Sequence, residues 1–200
     1  MSSPRKAGTT DKNAEILAPL DFSFMTLTTC SDVLGEEPRL QSPRKSKPKK
    51  SESGKYLSHC LRLNNNNIAD FETLEATLEK LVDDPLELQW LDLSFNELTK
   101  LDPVLGKYPN LQILYLHGNG IADLKEVDNL ATCRSLRKLT LHGNPIENIK
   151  GYRSHVLSKL PNLADFDFSR ITKADRATAD TYSKLYGLNK KTKKKKEAED

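Results

Sequence analysis

Two histidines are the side chains of this sequence whose type and spacing come closest to a chemical site. His117 and His142 each begin an HGN triplet, at residues 117–119 and 142–144. If the two segments are neighbouring parallel strands, the imidazoles lie about 4.8 Å apart and could share a zinc ion, whose bonds to nitrogen are about 2.0–2.1 Å long. The equivalent positions of the flanking segments hold Ser94 and Ser169, so no third or fourth ligand is in register. We therefore predict no metal, and expect both histidines to bond to the backbone at strand ends.

No other motif indicates catalysis or a bound cofactor. The phosphate-binding patterns G-x-x-x-x-G-K-[ST] and G-x-G-x-x-G are absent, and so is the G-x-S-x-G nucleophile elbow. Cys30, Cys60 and Cys133 are odd in number and widely spaced, which is typical of a reducing compartment. We expect Cys60 and Cys133 to be buried or half-buried apolar groups. The sequence predicts a protein that is not an enzyme and has neither a cofactor nor a small-molecule substrate.

The HGN triplets belong to an internal repeat, and this repeat must position them. Four segments match the pattern L-x-x-L-x-L-x-x-N-x-L, and a fifth at 163–171 keeps the apolar positions but has Ile171 in place of the asparagine. Both leucines of each L-x-L core face the same side of a strand, so stacked units share one core. The four segments are SHCLRLNNNNI (58–68), LQWLDLSFNEL (88–98), LQILYLHGNGI (111–121) and LRKLTLHGNPI (136–146). This pattern predicts a leucine-rich-repeat solenoid.

The predicted fold is an α/β solenoid with about five parallel strands, helices or 3₁₀ helices on the convex side, and a C-terminal cap helix. The long first connector has apolar residues at helical spacing between Asp70, a predicted N-cap, and Pro85; the shorter later connectors predict turns or 3₁₀ helices. The repeat asparagines have donors and an acceptor with which to satisfy backbone groups where each strand ends. They are Asn66, Asn96, Asn119 and Asn144.

The C-terminal helix has its own start and stop signals. Thr172 and Asp175 form a predicted capping box. We predict that this helix ends at about Tyr186, with Gly187 as its C-terminal stop.

The two ends of the chain differ from its middle in charge. Residues 1–55 carry 10 basic and 7 acidic side chains, and residues 184–200 carry 7 and 3, whereas residues 56–183 carry 14 and 18. We predict a mostly disordered segment at 1–55, a repeat domain with its cap at 56–187, and a disordered lysine-rich tail at 188–200. The sequence shows neither a stretch of roughly 18 apolar residues nor an apolar secretory signal, so we expect a cytoplasmic protein without a membrane partner.

The outward positions of the predicted strands form a candidate binding surface on the concave face. Trp90, Ile113 and Tyr115 cluster on two neighbouring strands, flanked by Asp92 and Lys138. Aromatic side chains ringed by polar groups are typical of a binding hot spot. We predict that this face binds a helical or extended segment of a protein partner, as an adaptor or scaffold does.

The repeat length and consensus resemble the short, cytoplasmic class of leucine-rich repeats found in a phosphatase-regulator family. GYRSHVLSKLPNLADFDFSRITKADR (151–176) resembles the C-terminal cap of that class, with Tyr152, Arg153 and Asp167 among the matching residues. LDFSF (20–24) and EEPR (36–39) extend the likeness toward the N-terminus. The same cap occurs in an axonemal dynein light chain and in a spliceosomal leucine-rich protein. The resemblance implies a small cytoplasmic repeat protein without known catalysis, with an association with cilia.

Several alternatives stay open. The N-terminal segment could cover Trp90 itself, through Leu20, Phe22 and Phe24. By the resemblance, the protein could instead be a structural component of cilia or axonemes docked on microtubules, or a nuclear ribonucleoprotein component. The basic runs at 44–50 and 190–196 could bind an acidic surface. Sequence-specific nucleic-acid binding is not indicated, because these runs lack interleaved aromatic residues and no RNA-binding motif is present.

Overall fold

Seven short strands form one sheet in which each strand pairs with the next along the chain. The computed structural model describes residues 17–40 and 47–196, with side chains described as far as residue 185. The first six strands are parallel and the last is antiparallel. The predicted leucine-rich-repeat solenoid is confirmed, with six parallel strands rather than about five. The strands are β1 (Leu20–Asp21), β2 (Cys60–Arg62), β3 (Trp90–Asp92), β4 (Ile113–Tyr115), β5 (Lys138–Thr140), β6 (Asp165–Phe166) and β7 (Ser169–Arg170).

One apolar residue from each parallel strand forms a row through the core. The strand register aligns these six residues, and none is more than 1% exposed. Burying a leucine contributes roughly 1.5–3 kcal/mol, and here each one is buried only because the neighbouring repeats cover it. The row consists of Leu20, Leu61, Leu91, Leu114, Leu139 and Phe166.

The type of helix in each connector, on the other side of the core, follows from the length of that connector. The long connector after β2 holds α1 (Leu74–Leu81), whereas those after β3 and β4 hold 3₁₀ helices at Pro103–Lys107 and Leu124–Leu130. The connector after β5 holds a 3₁₀ helix at Pro145–Asn148 followed by an α-helix. These 3₁₀ helices confirm the prediction for the later connectors. Two further helices, α2 (Tyr152–Lys159) and α3 (Lys173–Lys196), pack on each other at the C-terminal end. No helix in the described part of the chain has the length and apolar character needed to cross a membrane.

Two predicted helix boundaries are wrong. Helix α1 begins at Leu74 with Thr73 at its N-cap, while Asp70 instead accepts a hydrogen bond from the backbone of Glu72 in the turn before it. Helix α3 continues through Gly187 to Lys196, so the predicted stop at Gly187 is incorrect. A glycine inside a helix costs only about 1 kcal/mol, and the lysines that follow it are good helix formers.

The N-terminal segment is an ordered cap, which corrects the prediction of mostly disordered structure at 1–55 for the part the structure describes. β1 pairs with β2, and Leu20 and Phe22 are fully buried in the repeat core. A 3₁₀ helix at Cys30–Gly35 packs against α1. This segment therefore closes the end of the core that β2 would otherwise leave open to water.

A pH dependence is expected for this cap. The Asp32 carboxylate accepts hydrogen bonds from the side chain and backbone of Thr29 and from Thr28, which lower its pKa from 3.8 to about 2. Because the lowered pKa belongs to the folded state, Asp32 stabilises the cap fully above about pH 4 and loses this contribution as the pH falls toward 2. We expect Asp32→Asn to remove part of the loss of thermal stability between pH 4 and pH 2. An unchanged pH profile in this variant would contradict the assignment.

Candidate binding surface on the open face of the sheet

A ladder of buried asparagines holds the repeats in register and so positions the strands. The amide of Asn119 donates to the carbonyl oxygens of Leu116, in its own repeat, and of Leu93, in the repeat before. Its carbonyl accepts from the backbone of Leu98, 3.0 Å away. Asn96 and Asn144 bond in the same way, each to its own repeat and to the preceding one. Asn66 extends the ladder to the N-terminal cap through the backbone groups of Phe22, Met25 and Leu27.

At the C-terminal end, the side chain of Asp167 accepts the backbone bond that the carbonyl oxygens of Tyr115 and Thr140 accept in the earlier repeats. Its carboxylate accepts from the backbone of Leu141 and His142 and from the Tyr152 hydroxyl, at 2.7, 3.0 and 2.8 Å. An acceptor-only side chain fits here because each partner is a donor. Arg153 binds the carboxylate of Asp175 and so ties α2 to α3.

Asp175 also belongs to the predicted capping box, and the structure confirms that box. The Thr172 hydroxyl accepts from the Asp175 backbone, and the Asp175 carboxylate accepts from the Thr172 backbone. The hydrogen bonds from Arg153 and Thr172 hold the pKa of Asp175 well below its usual range.

The chain reverses direction at the predicted fifth repeat. Asp167 and Phe168 both have positive φ angles, of 51° and 57°, and turn β6 back into antiparallel β7. Ser169 therefore pairs with Phe166 and is not the strand-end equivalent of His142. The predicted equivalence of Ser169 with His142 is therefore wrong.

The open face of the sheet is the side opposite the leucine core. The register places Cys60, Trp90, Ile113, Lys138 and Asp165 in one row across it. Trp90 and Ile113 are half-buried and Lys138 is exposed. Of the predicted site residues, Trp90, Ile113, Tyr115 and Lys138 are thus brought together on one surface. Burial raises the pKa of the Cys60 thiol to about 12, so this row contains no thiolate nucleophile.

Asp92 is less available to a partner than the sequence indicates. It is only 6% exposed, and one of its carboxylate oxygens accepts from both the backbone and the hydroxyl of Ser94, at 3.1 and 2.6 Å. Ser23 makes the same pair of bonds to Asp21 at the end of β1. Asp92 therefore closes the turn at the end of β3 and contributes little exposed surface.

Six aromatic rings form one connected group on the open face, which we call the aromatic cluster. Trp90 and Tyr115 meet edge to face with ring centres 5.9 Å apart. Phe168 lies 5.5–5.6 Å from Tyr115, His117 and His142, and Phe95 lies 5.0 Å from His117. The members are Trp90, Phe95, Tyr115, His117, His142 and Phe168. Phe95 and Phe168 are 52% and 66% exposed, so the cluster presents apolar area to solvent.

The two histidines stack on each other and are not arranged to share a metal. Their rings are 4.7 Å apart with an angle of 9° between the planes, so the lone pairs of the two imidazoles run parallel and do not converge on one ion. Nδ1 of His117 lies 2.8 Å from the Thr140 hydroxyl, and Nδ1 of His142 lies 3.4 Å from Asp167. Burial, together with the neighbouring His142, lowers the pKa of His117. Across the described residues, no group of three or more His, Cys, Asp or Glu side chains could hold a metal ion.

Phe95 and Phe168 are the members of the cluster that sequence reasoning missed. Phe95 stands where the next two repeats have Gly118 and Gly143, and its ring lies directly over Gly118, where a Cβ would come within 2.6 Å of it. The signal in the sequence was the change from SFN to HGN at corresponding positions. No such signal in the sequence marks Phe168, because its position on the open face depends on the turn between β6 and β7.

The N-terminal segment does not cover Trp90 in the way the alternative proposed. Leu20 and Phe22 are fully buried in the core, on the opposite side of the sheet from Trp90. Phe24 is 65% exposed, and the guanidinium of Arg39 lies 5.6 Å from its ring centre. Residues 1–16 lie outside the described part of the chain.

The fold and its comparisons define the class of protein. A family model described as "Leucine-rich repeat" matches residues 62–197, and the chain belongs to the leucine-rich-repeat family. Within that family it is similar to Leucine-rich repeat-containing protein 51. It is 48% identical to the Homo sapiens protein over 168 residues, which cover 84% of this chain and 85% of that one. The Mus musculus protein is 48% identical over 181 residues, covering 90% and 92%.

Two further similarities concern U2A' proteins. The U2 small nuclear ribonucleoprotein A' of Mycosarcoma maydis is 38% identical over 94 residues, which cover 46% of this chain and 38% of that one. Among solved structures, the Drosophila melanogaster SNF/U2A' complex contains a chain that matches with a TM-score of 0.57 and 18% identity, over 78% of this chain and 92% of that one. This structural match reflects a shared fold.

Proposed function

We propose that this protein is a non-enzymatic adaptor or scaffold whose open face binds a segment of a protein partner. The aromatic cluster carries the proposal, because it places two exposed phenylalanines beside half-buried Trp90 and Tyr115 on one surface. Aromatic residues dominate binding hot spots since they bury a large area at little entropic cost. The same surface has no assembled nucleophile, base or metal set, so binding rather than catalysis is the function that it supports.

Polar atoms next to the cluster support the same proposal. Trp90 Nε1, Arg62 Nε and Asn64 Oδ1 are buried and form no hydrogen bond with the residues that the structure describes. Buried polar groups are usually satisfied, and an unmade bond costs about 1–3 kcal/mol. Three such atoms on or next to neighbouring strands favour a surface where a partner supplies the missing hydrogen bonds. Small rearrangements of the side chains that cover the three atoms would expose them to that partner.

The dimensions of the face restrict the partner to a single segment. Outward residues are two positions apart, so three of them per strand give a width of about 13 Å, and six parallel strands at about 4.8 Å span about 24 Å. A helix with its side chains is about 10–12 Å across, so one helix or one extended peptide fills the face.

Two alternatives keep some support. The likeness to the U2 small nuclear ribonucleoprotein A' favours a nuclear ribonucleoprotein component as the second candidate. A cytoplasmic, ciliary or axonemal location and docking on microtubules remain proposals from the resemblance.

The basic runs at 44–50 and 190–196 remain candidates for binding an acidic surface, although residues 41–46 and the side chains of residues 190–196 lie outside the described structure. Imaging of the tagged chain in ciliated cells distinguishes nuclear from ciliary accumulation.

The double variant Trp90→Ala/Tyr115→Ala tests the proposed face. We expect at least a tenfold loss of specific proteins captured from a ciliated-cell lysate, because truncating two hot-spot residues costs about 2 kcal/mol or more. The matched control is Leu86→Ala/Ile149→Ala, which removes two exposed apolar side chains away from the open face. All three chains must show the same thermal midpoint before capture is compared by mass spectrometry. Identical captured proteins from wild type and the Trp90/Tyr115 variant would refute the proposal.

A further inference from the structure

Three phenylalanines have an arrangement that folding alone does not explain. Phe22, Phe71 and Phe166 are at most 4% exposed, whereas Phe24, Phe95 and Phe168 are 52–66% exposed. The exposed three all have left-handed backbone, with φ of 58°, 53° and 57°. No buried phenylalanine does. A bulky side chain in this conformation is uncommon and strained.

Phe24 and Phe95 occupy one equivalent position, just after the strand, in different repeats. The other repeats place Asn65, Gly118 and Gly143 there, also with positive φ. Asparagine and glycine adopt left-handed backbone readily, so they are the residues that this position requires for folding. Phenylalanine at residues 24 and 95 therefore adds strain and leaves most of its ring exposed. Such strain persists where a site uses the residue for another purpose.

The two rings flank a polar stretch at the carboxyl ends of the strands, which we call the rim. Phe24 follows β1 and Phe95 follows β3, so they are separated by two strand spacings, or about 10 Å. Asn64, Asn65 and Ser94 lie between them, and Asn64 Oδ1 has no hydrogen-bond partner among the described residues. At one end, Phe95 also contacts His117 of the aromatic cluster.

We propose that the rim binds an amphipathic helix of a partner protein, through two apolar side chains seven residues apart on that helix. This inference rests on the proposed function and names the kind of segment that the open face receives. Seven residues of α-helix rise about 10.5 Å, which matches the separation of the two phenylalanines.

The backbone of the rim favours a helix over an extended segment that would add as a β-strand. The N–H groups of Phe24, Asn65, Phe95 and Gly118 all donate to carbonyl oxygens of the next repeat, at 2.8–3.2 Å. An extended peptide needs free backbone groups to pair with, whereas a helix satisfies its own. The helix is therefore the occupant that leaves no backbone group unpaired on either side.

The test presents the full-length chain to two displayed peptide libraries. One library places apolar residues at positions i, i+3, i+4 and i+7, and the other alternates apolar and polar residues. We expect the wild-type chain to enrich sequences from the helix-patterned library. The Phe24→Asn/Phe95→Asn variant should enrich them at least tenfold less. The matched control is Leu86→Asn, which alters an exposed leucine near the opposite ends of the strands. It should enrich as the wild type does.

Thermal unfolding supplies a second readout. Because asparagine suits left-handed backbone, the Phe24→Asn/Phe95→Asn chain should have a midpoint equal to or above that of the wild type. A decrease of more than about 4 °C would show that the rings serve folding, and would overturn the proposal. A loss of binding at an unchanged or raised midpoint supports it.

The remaining outcomes separate this inference from the proposed function. Peptides whose binding requires Trp90 and Tyr115 but is unchanged by Phe24→Asn/Phe95→Asn would contradict binding at the rim. They would still support a binding site on the open face. Enrichment of alternating sequences, or of neither library, would contradict the proposal that a helix binds the rim. The proposed function would then still be decided by capture from the lysate. Concentration-dependent dimerisation that the rim variant abolishes would identify a second copy of the chain as the occupant, and would also overturn the proposal.

Discussion

Replacing Asn119 by alanine is expected to lower the free energy of unfolding by about 4 kcal/mol. The substitution leaves the backbone N–H of Leu98 without its acceptor, at a site where the side chain is 8% exposed. It also removes one of the two amide donors to each of the carbonyl oxygens of Leu93 and Leu116, which keep the amides of Asn96 and Asn144, and each lost hydrogen bond costs about 1 kcal/mol. Each unsatisfied buried group costs about 1–3 kcal/mol. Since domains are stable by only about 5–15 kcal/mol, the variant should be largely unfolded near body temperature. Urea denaturation followed by circular dichroism measures the change.

Two further variants define what the Asn119 experiment shows. Asn119→Asp should be nearly as harmful as alanine, because a carboxylate accepts from Leu98 but cannot donate to the two carbonyl oxygens. Asn67→Ala is the matched control, since Asn67 is exposed and its amide binds only the Glu97 side chain. Its effect should stay within about 0.5 kcal/mol. Equal effects at Asn67 and Asn119 would contradict the role of the buried ladder.

Replacing Phe22 by alanine is expected to cost about 4 kcal/mol and to open the N-terminal cap. The ring is fully buried at the end of the core, and truncating a buried phenylalanine costs about 3–5 kcal/mol through lost burial and the cavity that remains. Hydrogen exchange should accelerate first in residues 20–35, because that segment contacts the solenoid on one side, through β2, the turn that contains Asn66, and α1. Thermal unfolding gives the overall loss.

Phe24→Ala provides the comparison for Phe22. The two residues lie two positions apart in the same LDFSF segment, but Phe24 is 65% exposed and its backbone is left-handed. We expect a change within about 0.5 kcal/mol. If both alanine variants behaved alike, or if Phe22→Ala left exchange in residues 20–35 unchanged, the segment would not act as a cap of the core.

The repeat could be predicted because its determinants are local and recur. Two leucines with period two and an asparagine three residues after the second leucine specify a strand and the turn that follows it, and four copies specify stacking. The 3₁₀ connectors followed from their short length. The Thr172–Asp175 capping box followed from two residues three apart.

The N-terminal cap could not be predicted in the same way. LDFSF at 20–24 differs from LDLSF at 91–95 only in Phe22, and this likeness was the available signal. The segment has Met25 where the repeats have asparagine, and nearly 40 residues separate β1 from β2. Its order depends on contacts distant in sequence: strand pairing with β2, and the bonds from Asn66 to Met25 and Leu27.

The sequence by itself determined the solenoid, its asparagine ladder and the outward direction of Trp90, Ile113 and Tyr115, since side-chain alternation in a strand is a local property. Only the tertiary structure decided which outward residues are exposed. It buries Asp92 against Ser94 and brings Phe168 onto the histidine pair through the β6–β7 turn. It also turns Phe24 and Phe95 outward through left-handed backbone. These outcomes depend on backbone angles and on neighbouring repeats, which no pattern within a single repeat contains.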